Sequence, residues 1–170
     1  METDCIIGID CGASGGIAVY RRGEATKVYR MPKNIELLAE LIKYYKECTQ
    51  PLVFVEKLQM RHDDEGAKMF RIRAMLANYE QVKTTLSLLN IPYVLVHPMK
   101  WQSALHIRKT GEERTERKRR YRDYAQSLYK DINVTLWSAD ALLIMHFGRH
   151  ILQTDPAWVA QQIPTKTTLL

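Results

Sequence analysis

Cysteine is scarce in this chain of 170 residues, which has only Cys5, Cys11 and Cys48. An odd number of cysteines, with no Cys-x-x-Cys spacing, excludes a disulfide framework and a zinc ribbon as the basis of the fold. We therefore expect a reducing, intracellular compartment, such as the cytoplasm of a bacterial or phage-infected cell, or an organelle or nucleoid.

Long hydrophobic runs are absent as well. No apolar run is long enough to cross a membrane, so we expect no membrane partner. The first residues, Met1-Glu2-Thr3-Asp4, are acidic where a secretory signal peptide carries basic residues, so we expect a protein that is not secreted. The length fits one domain, predicted over residues 1–154, followed by a loose C-terminal tail over residues 155–170.

Acidic residues are outnumbered, and the formal net charge is +6. Eight basic residues lie between positions 108 and 122, against three acids. These basic residues are Arg108, Lys109, Arg114, Arg117, Lys118, Arg119, Arg120 and Arg122. Clustering of this kind favours a surface that binds phosphates, and a solvated helix face is the alternative.

Three carboxylates are set into apolar segments. Asp10 ends the run Ile6-Ile7-Gly8-Ile9 and precedes a glycine-rich turn, Glu56 ends Leu52-Val53-Phe54-Val55, and Asp140 opens an apolar helix. Acids in apolar surroundings cost free energy unless a cation compensates them. Each acid alone is better explained by a solvated position. Together they predict a catalytic site for Mg²⁺ or Mn²⁺, because these ions prefer oxygen ligands. Two ions about 3.5–4 Å apart would activate water and stabilise a leaving oxygen of a phosphodiester.

Hydrophobic periodicity predicts an α/β fold with a mixed sheet. The predicted strands are residues 5–9, 17–20, 26–29, 52–56 and 91–96. Helices are predicted after the N-cap residues Asn34, Thr110 and Ser138, and over Ala67–Leu89, with a loop that carries Lys100, Trp101 and Gln102. Three antiparallel strands followed by two strands reached through helical crossovers make a ribonuclease H-like arrangement. The helix at residues 67–89 has a second apolar side, which predicts a dimer contact. Its predicted core stripe consists of Ile72, Leu76, Tyr79, Val82, Leu86 and Leu89.

Five short motifs, in order between residues 5 and 150, resemble the RuvC-type Holliday-junction resolvases, and in particular the short RuvC-like proteins of phages and their chloroplast relatives. The motifs are Gly8-Ile9-Asp10-x-Gly12-x-Ser14-Gly15-Gly16, Val55-Glu56-Lys57, Pro98-x-Lys100-Trp101-Gln102-x-Ala104-Leu105, Thr115-Glu116-x-Lys118 and Ala139-Asp140-Ala141-Leu142-Leu143.

The resemblance implies a ribonuclease H-like mixed five-stranded sheet with flanking helices, a homodimer, and Mg²⁺-dependent nicking of four-way or other branched DNA. It implies that Asp10, Glu56 and Asp140 are the catalytic acids and that Lys118 contacts the phosphate at the cut. It also implies DNA contacts after Glu56 and along the basic surface. The predicted DNA-binding residues are Lys57, Gln59, Met60, Arg61, Lys100, Trp101, Arg108, Lys109, Arg114, Arg117, Arg119, Arg120 and Arg122.

One departure keeps a second function open. Many relatives carry Asp or His one turn before the last acid, where this chain has Trp137. Three alternatives follow. The three carboxylates are enough for catalysis, a nearby group replaces the fourth metal-side residue, or the catalytic activity is reduced. The alternative function is therefore a non-catalytic protein that binds branched DNA. A sugar-kinase or actin-like ATPase also has a first strand that ends in Asp-x-Gly, but it requires two such domains.

Overall fold

The structure is a computed structural model and describes residues 3–12, 14–48, 50–58 and 67–164. Its elements are β1 (Cys5–Asp10), β2 (Gly16–Arg21), β3 (Lys27–Arg30), α1 (Ile35–Cys48), β4 (Pro51–Glu56), α2 (Ala67–Leu88), β5 (Tyr93–Val96), α3 (Pro98–Ala104), α4 (Arg114–Leu128), α5 (Ala139–Thr154) and α6 (Pro156–Gln162). No helix in these ranges has the length and apolar content needed to span a bilayer.

The strands form one mixed sheet in the order β3-β2-β1-β4-β5. Strands β1, β2 and β3 are antiparallel neighbours, whereas β4 runs parallel to β1 and β5 runs parallel to β4. This arrangement confirms the predicted mixed five-stranded sheet. Ile9 pairs with Val55 across β1 and β4, so the carboxyl ends of the two central strands lie side by side.

Both faces of the sheet are covered, which explains why its central strands lack polar alternation. Ile7, Ile9, Val53 and Val55 pack on one face against the helical layer of α1 and α2. Alternate residues, such as Phe54, pack on the other face against α5. Side chains alternate along a strand, so Asp10 and Glu56 point to the α5 side.

Helix α5 lies directly on β1 because Gly8 has no side chain. A Cβ atom at Gly8 would lie 2.4 Å from the Met145 nitrogen and 2.5 Å from the Ala141 oxygen. At Gly148, on α5, a Cβ atom would lie 2.5 Å from the Phe54 ring. These two close approaches fix the position of α5 across the sheet, and its N-terminus therefore lies beside the end of β1.

Two segments predicted to be loop or tail are helical. Lys100, Trp101 and Gln102 were predicted to lie in a loop, but they belong to α3. This helix begins at Pro98 because proline fits the first turn, where its missing N–H costs nothing. The tail prediction from residue 155 is also wrong for residues 156–162. Asp155 caps α6 by accepting a hydrogen bond from the Trp158 nitrogen at 3.0 Å, and Val159 is buried. Residues 165–170 lie outside the described residues.

Helix α2 contacts the core through its C-terminal half. Tyr79, Val82 and Leu86 are buried, but Leu76, which was predicted to lie in the core, is 36 % exposed. Residues 73–77 are all exposed. The prediction of one continuous core stripe is therefore wrong for the N-terminal half of α2, which leaves an apolar surface uncovered by the rest of the described chain.

Candidate active site

Three elements bring Asp10, Glu56 and Asp140 together at the carboxyl ends of the central strands β1 and β4. Asp10 and Glu56 are the last residues of neighbouring parallel strands, and Asp140 lies in the first turn of α5. The negative charge of Asp140 raises the pKa of both other acids, as expected for neighbouring carboxylates. The register of β1 with β4 and the seating of α5 on Gly8 create this grouping from residues far apart in sequence.

Each carboxylate has a defined hydrogen-bond partner. Asp10 Oδ1 accepts from the Gly12 backbone N–H at 3.2 Å. Glu56 Oε1 accepts from the indole Nε1 of Trp101 at 3.0 Å. Asp140 Oδ2 accepts from the ammonium group of Lys118, which reaches it from α4. The site thus combines three acids with one cation and one neutral side-chain donor.

Burial and mutual repulsion disfavour the charged forms of the strand-end acids. Burial, followed by the charges of Asp10 and Asp140, raises the pKa of Glu56 to about 8. Burial and the charge of Asp140 also raise the pKa of Asp10 above its usual range. A nearby positive charge would therefore stabilise the ionised forms of both carboxylates.

Lys118 supplies part of that charge. Burial alone would lower the pKa of Lys118, but attraction to Asp140, Asp10 and Glu56 outweighs burial and raises it. The lysine therefore stays charged at neutral pH. Its side chain is 29 % exposed, so it is in contact with both the site and solvent.

The donor set fits a hard divalent cation. All three acids offer oxygen, and the buried Oδ1 atom of Asp140 has no hydrogen-bond partner among the described residues. Burial raises the pKa of the neighbouring Cys11 thiol, which therefore stays protonated and is no ligand for a hard cation. Within residues 3–12, 14–48, 50–58 and 67–164 no group of three His, Cys, Asp or Glu side chains is placed so that it could hold a metal ion without rearrangement. Lys118 instead takes one oxygen of Asp140.

The raised pKa values predict that, in EDTA, the folded chain loses stability as the pH rises. Glu56 has a higher pKa in the folded chain (about 8) than its ordinary value of 4.5, so its contribution to stability is complete below about pH 4.5 and lost as the pH passes 8. We expect Glu56→Gln to remove this loss, which is on the order of a few kcal/mol. Urea unfolding of both proteins at pH 5 and above pH 8 measures it. A pH dependence that is identical in the two proteins would contradict the raised pKa.

Trp101 has a different role from the predicted one. Its side chain is fully buried, its indole donates to Glu56, and its ring lies 5.4 Å from that of Tyr121. The prediction that Trp101 contacts DNA is wrong, because no surface of it is accessible. The prediction came from the resemblance at Pro98-x-Lys100-Trp101, which does not show whether the indole is exposed.

The residues that follow the site acids are placed only in part. Lys57 is exposed next to Glu56, and its backbone N–H donates to Val96 at 2.8 Å. Lys100 is exposed on α3 and lies over the ring of Trp158, 4.7 Å from the ring centre. The predicted contacts of Gln59, Met60 and Arg61 lie outside the described residues.

The basic segment borders the carboxylates because it includes α4, which packs on α5. Arg108, Lys109, Arg114 and Arg119 are exposed, and Arg117 is half-buried. Their exposure is compatible with the predicted DNA contacts. The structure places them on the same helix as Lys118, or in the loop just before it.

Two arginines of the segment have partners within the chain. Arg120 donates from Nε to Glu112 at 2.8 Å and from Nη1 to the Ile107 carbonyl, so it fixes the loop at residues 107–112 to α4. Arg122 pairs with Asp123. These contacts give Arg120 a structural role that the sequence did not predict, and the predicted DNA contacts of both arginines stay predictions.

Trp137 forms one wall of the site. Its ring covers Gly16, where a Cβ atom would lie 3.0 Å from the indole, and the Arg30 guanidinium lies 4.8 Å from the ring centre. Gly16 pairs with Asp10 across β1 and β2. The indole therefore shields the Asp10 side of the sheet and offers no ligand atom to a cation.

Comparison with known proteins shows a fold likeness. No protein-family model matches the chain, and no curated protein matches it. The solved structures that are similar include Thermus thermophilus RuvC in complex with Holliday junction substrate, with 15 % identity, a TM-score of 0.57, and coverage of 89 % of this chain and 96 % of that one. Another is the Thermus thermophilus RuvC structure, with 16 % identity, a TM-score of 0.54, and coverage of 94 % and 98 %. The chain therefore has a ribonuclease H-like fold.

Proposed function

We propose that this chain is a divalent-metal-dependent endonuclease that resolves four-way DNA junctions by paired nicks, in the manner of the short RuvC-like resolvases. The observation that carries the proposal is the grouping of Asp10, Glu56 and Asp140 at one sheet edge with Lys118 against Asp140. The likeness in fold to a RuvC solved with a Holliday junction supports it.

Each part of the site would have its own task. Asp10, Glu56 and Asp140 would hold Mg²⁺ or Mn²⁺, with two ions expected. The bound ions would polarise the phosphate and supply a metal-activated water. Trp101 orients Glu56 by donating to one carboxylate oxygen, which leaves the other oxygen for a ligand. Lys118 would stabilise negative charge that develops on the phosphate, and the exposed arginines of α4 would bind the DNA backbone.

A non-catalytic protein that binds branched DNA is the second candidate. Trp137 favours it, because the indole covers Gly16 beside Asp10 and contributes no fourth acid. Incubation with a labelled synthetic four-way junction separates the two candidates. The nuclease gives Mg²⁺-dependent nicks in two opposite strands on a denaturing gel and leaves a linear duplex intact. The binder gives a shifted junction on a native gel and no nick.

Binding to the junction is expected to weaken steeply with salt, because phosphate contacts release counterions. Replacing Arg114, Arg117 and Arg119 together with alanine should flatten the plot of log K against log salt by roughly 0.9 for each phosphate that the variant no longer neutralises. Lys43→Ala is the matched control, since Lys43 is exposed on α1, on the opposite face of the sheet. Equal slopes for the triple variant and the control would identify the cluster as a solvated face.

A homodimer is expected through the exposed N-terminal half of α2. Two paired nicks in a nearly two-fold symmetric junction need two active sites, and residues 73–77 leave Ala74, Met75, Leu76 and Ala77 open to a second copy. Ala74→Glu or Ala77→Glu should give a monomer that nicks poorly, because a carboxylate would be buried in the contact. Light scattering after size exclusion measures the mass. A monomeric wild-type protein at micromolar concentration would contradict the dimer.

A further inference from the structure

We propose that Lys118 is the built-in counter-ion of the carboxylate site and competes with the divalent cation for Asp140, so that cation binding releases this lysine towards the DNA. The inference rests on the proposed metal site and adds a coupling between metal binding and the position of Lys118.

The contacts place the ammonium group where a cation would bind. Lys118 is hydrogen-bonded to Asp140 Oδ2, and Asp10 and Glu56 both attract it. Within the described ranges no other basic side chain forms an ion pair with any of the three acids. The flanking Arg119 is exposed, so the inward position of Lys118 is specific to this residue on α4.

Charge balance makes the lysine replaceable by a divalent ion. Three carboxylates carry up to three negative charges, and one ammonium group neutralises only one of them. The lysine also leaves the buried Oδ1 atom of Asp140 without a partner in the described part of the chain. A divalent cation offers two charges and several coordination positions. A cation on Asp140 and the ammonium group would repel each other at this short separation, so each weakens the binding of the other.

Once it is released from Asp140, the lysine can contact a DNA phosphate. Lys118 lies on α4, where Arg114 and Arg119 are exposed. A DNA phosphate at this surface would attract the freed ammonium group. By thermodynamic reciprocity, DNA that draws Lys118 away from Asp140 strengthens cation binding by the same factor. The lysine therefore couples occupation of the metal site to occupation of the DNA surface.

Calorimetric titration with Mg²⁺, without DNA and well above pH 8 so that the carboxylates are ionised, tests the competition. Lys118→Met keeps the length of the side chain and removes the charge. We expect this variant to bind Mg²⁺ on the order of tenfold more tightly than the wild type and to melt at a lower temperature in EDTA. Arg119→Met is the matched control and should change neither property. Lys118→Gln provides a second uncharged variant should the methionine variant fail to fold.

The outcomes separate this inference from the proposed function. Unchanged or weaker Mg²⁺ binding in the folded Lys118 variants would overturn the competition, even for a wild type that nicks junctions. Tighter binding in a protein that nicks no junction would support the competition and contradict the nuclease. Failure of the wild type and the variants to bind Mg²⁺ would overturn both.

Discussion

We expect junction cleavage to be lost when any one of the three acids loses its charge. Asp10→Asn, Glu56→Gln and Asp140→Asn should each lower the single-turnover rate by at least about a thousandfold, or about 4 kcal/mol in the barrier. Each substitution keeps the shape of the side chain and removes a ligand charge at the grouped site. The basic surface of α4 is untouched, so the dissociation constant for the junction should stay within about twofold.

Glu116→Gln is the matched control for this prediction. Glu116 lies exposed in the first turn of α4, so its substitution removes the same charge close to the DNA surface but outside the site. It should cleave at the wild-type rate. Denaturing gels measure the rate, and native gels in EDTA measure affinity. Near-normal cleavage by one of the three variants would remove that residue from the site.

Loss of Lys118 is expected to affect chemistry rather than DNA affinity. Lys118→Ala should lower the single-turnover rate by on the order of a hundredfold, because a lysine beside the scissile phosphate stabilises charge that develops in the transition state. Its neighbours Arg114, Arg117 and Arg119 retain the phosphate contacts, so the dissociation constant should barely change. The low rate should persist at saturating Mg²⁺, since tighter metal binding does not replace the missing ammonium group.

Arg119→Ala provides the opposite pattern for comparison with Lys118→Ala. Arg119 is exposed on α4. Its loss should weaken junction binding and leave the rate of the bound complex unchanged. If Lys118→Ala loses both cleavage rate and junction affinity, or neither, Lys118 acts only as one more cation of the basic surface.

The sheet was predictable because its central strands are short apolar runs, each of which ends in a single acid. The parallel pairing of Ile9 with Val55 then follows from the order of strands and helices, and it brings Asp10 beside Glu56. The close seating of α5 depends on the absence of a side chain at Gly8. The sequence shows that glycine but not the helix that crosses it.

The errors arose where one signal fits two structures. A loose tail was predicted from residue 155 because Pro156 cannot continue a helix, but Asp as N-cap and Pro in the first turn are equally a start. Trp101 was predicted to contact DNA, since its hydrogen-bond acceptor, Glu56, lies 45 positions away and the sequence does not show their contact. Periodicity also could not separate Lys118 from the other basic residues of its segment. Only the packing of α4 on α5 turns this one ammonium group towards Asp140.

The most direct test of the central claim, that the three acids act through a bound divalent cation, is the dependence of single-turnover junction nicking on Mg²⁺. With the junction saturated by protein, the wild type should give no nicks in EDTA, and the rate should rise to a plateau as Mg²⁺ is added. Asp140→Asn should stay at the EDTA level at every Mg²⁺ concentration while binding the same junction. Nicking by the wild type in EDTA, or by Asp140→Asn at high Mg²⁺, would contradict the account.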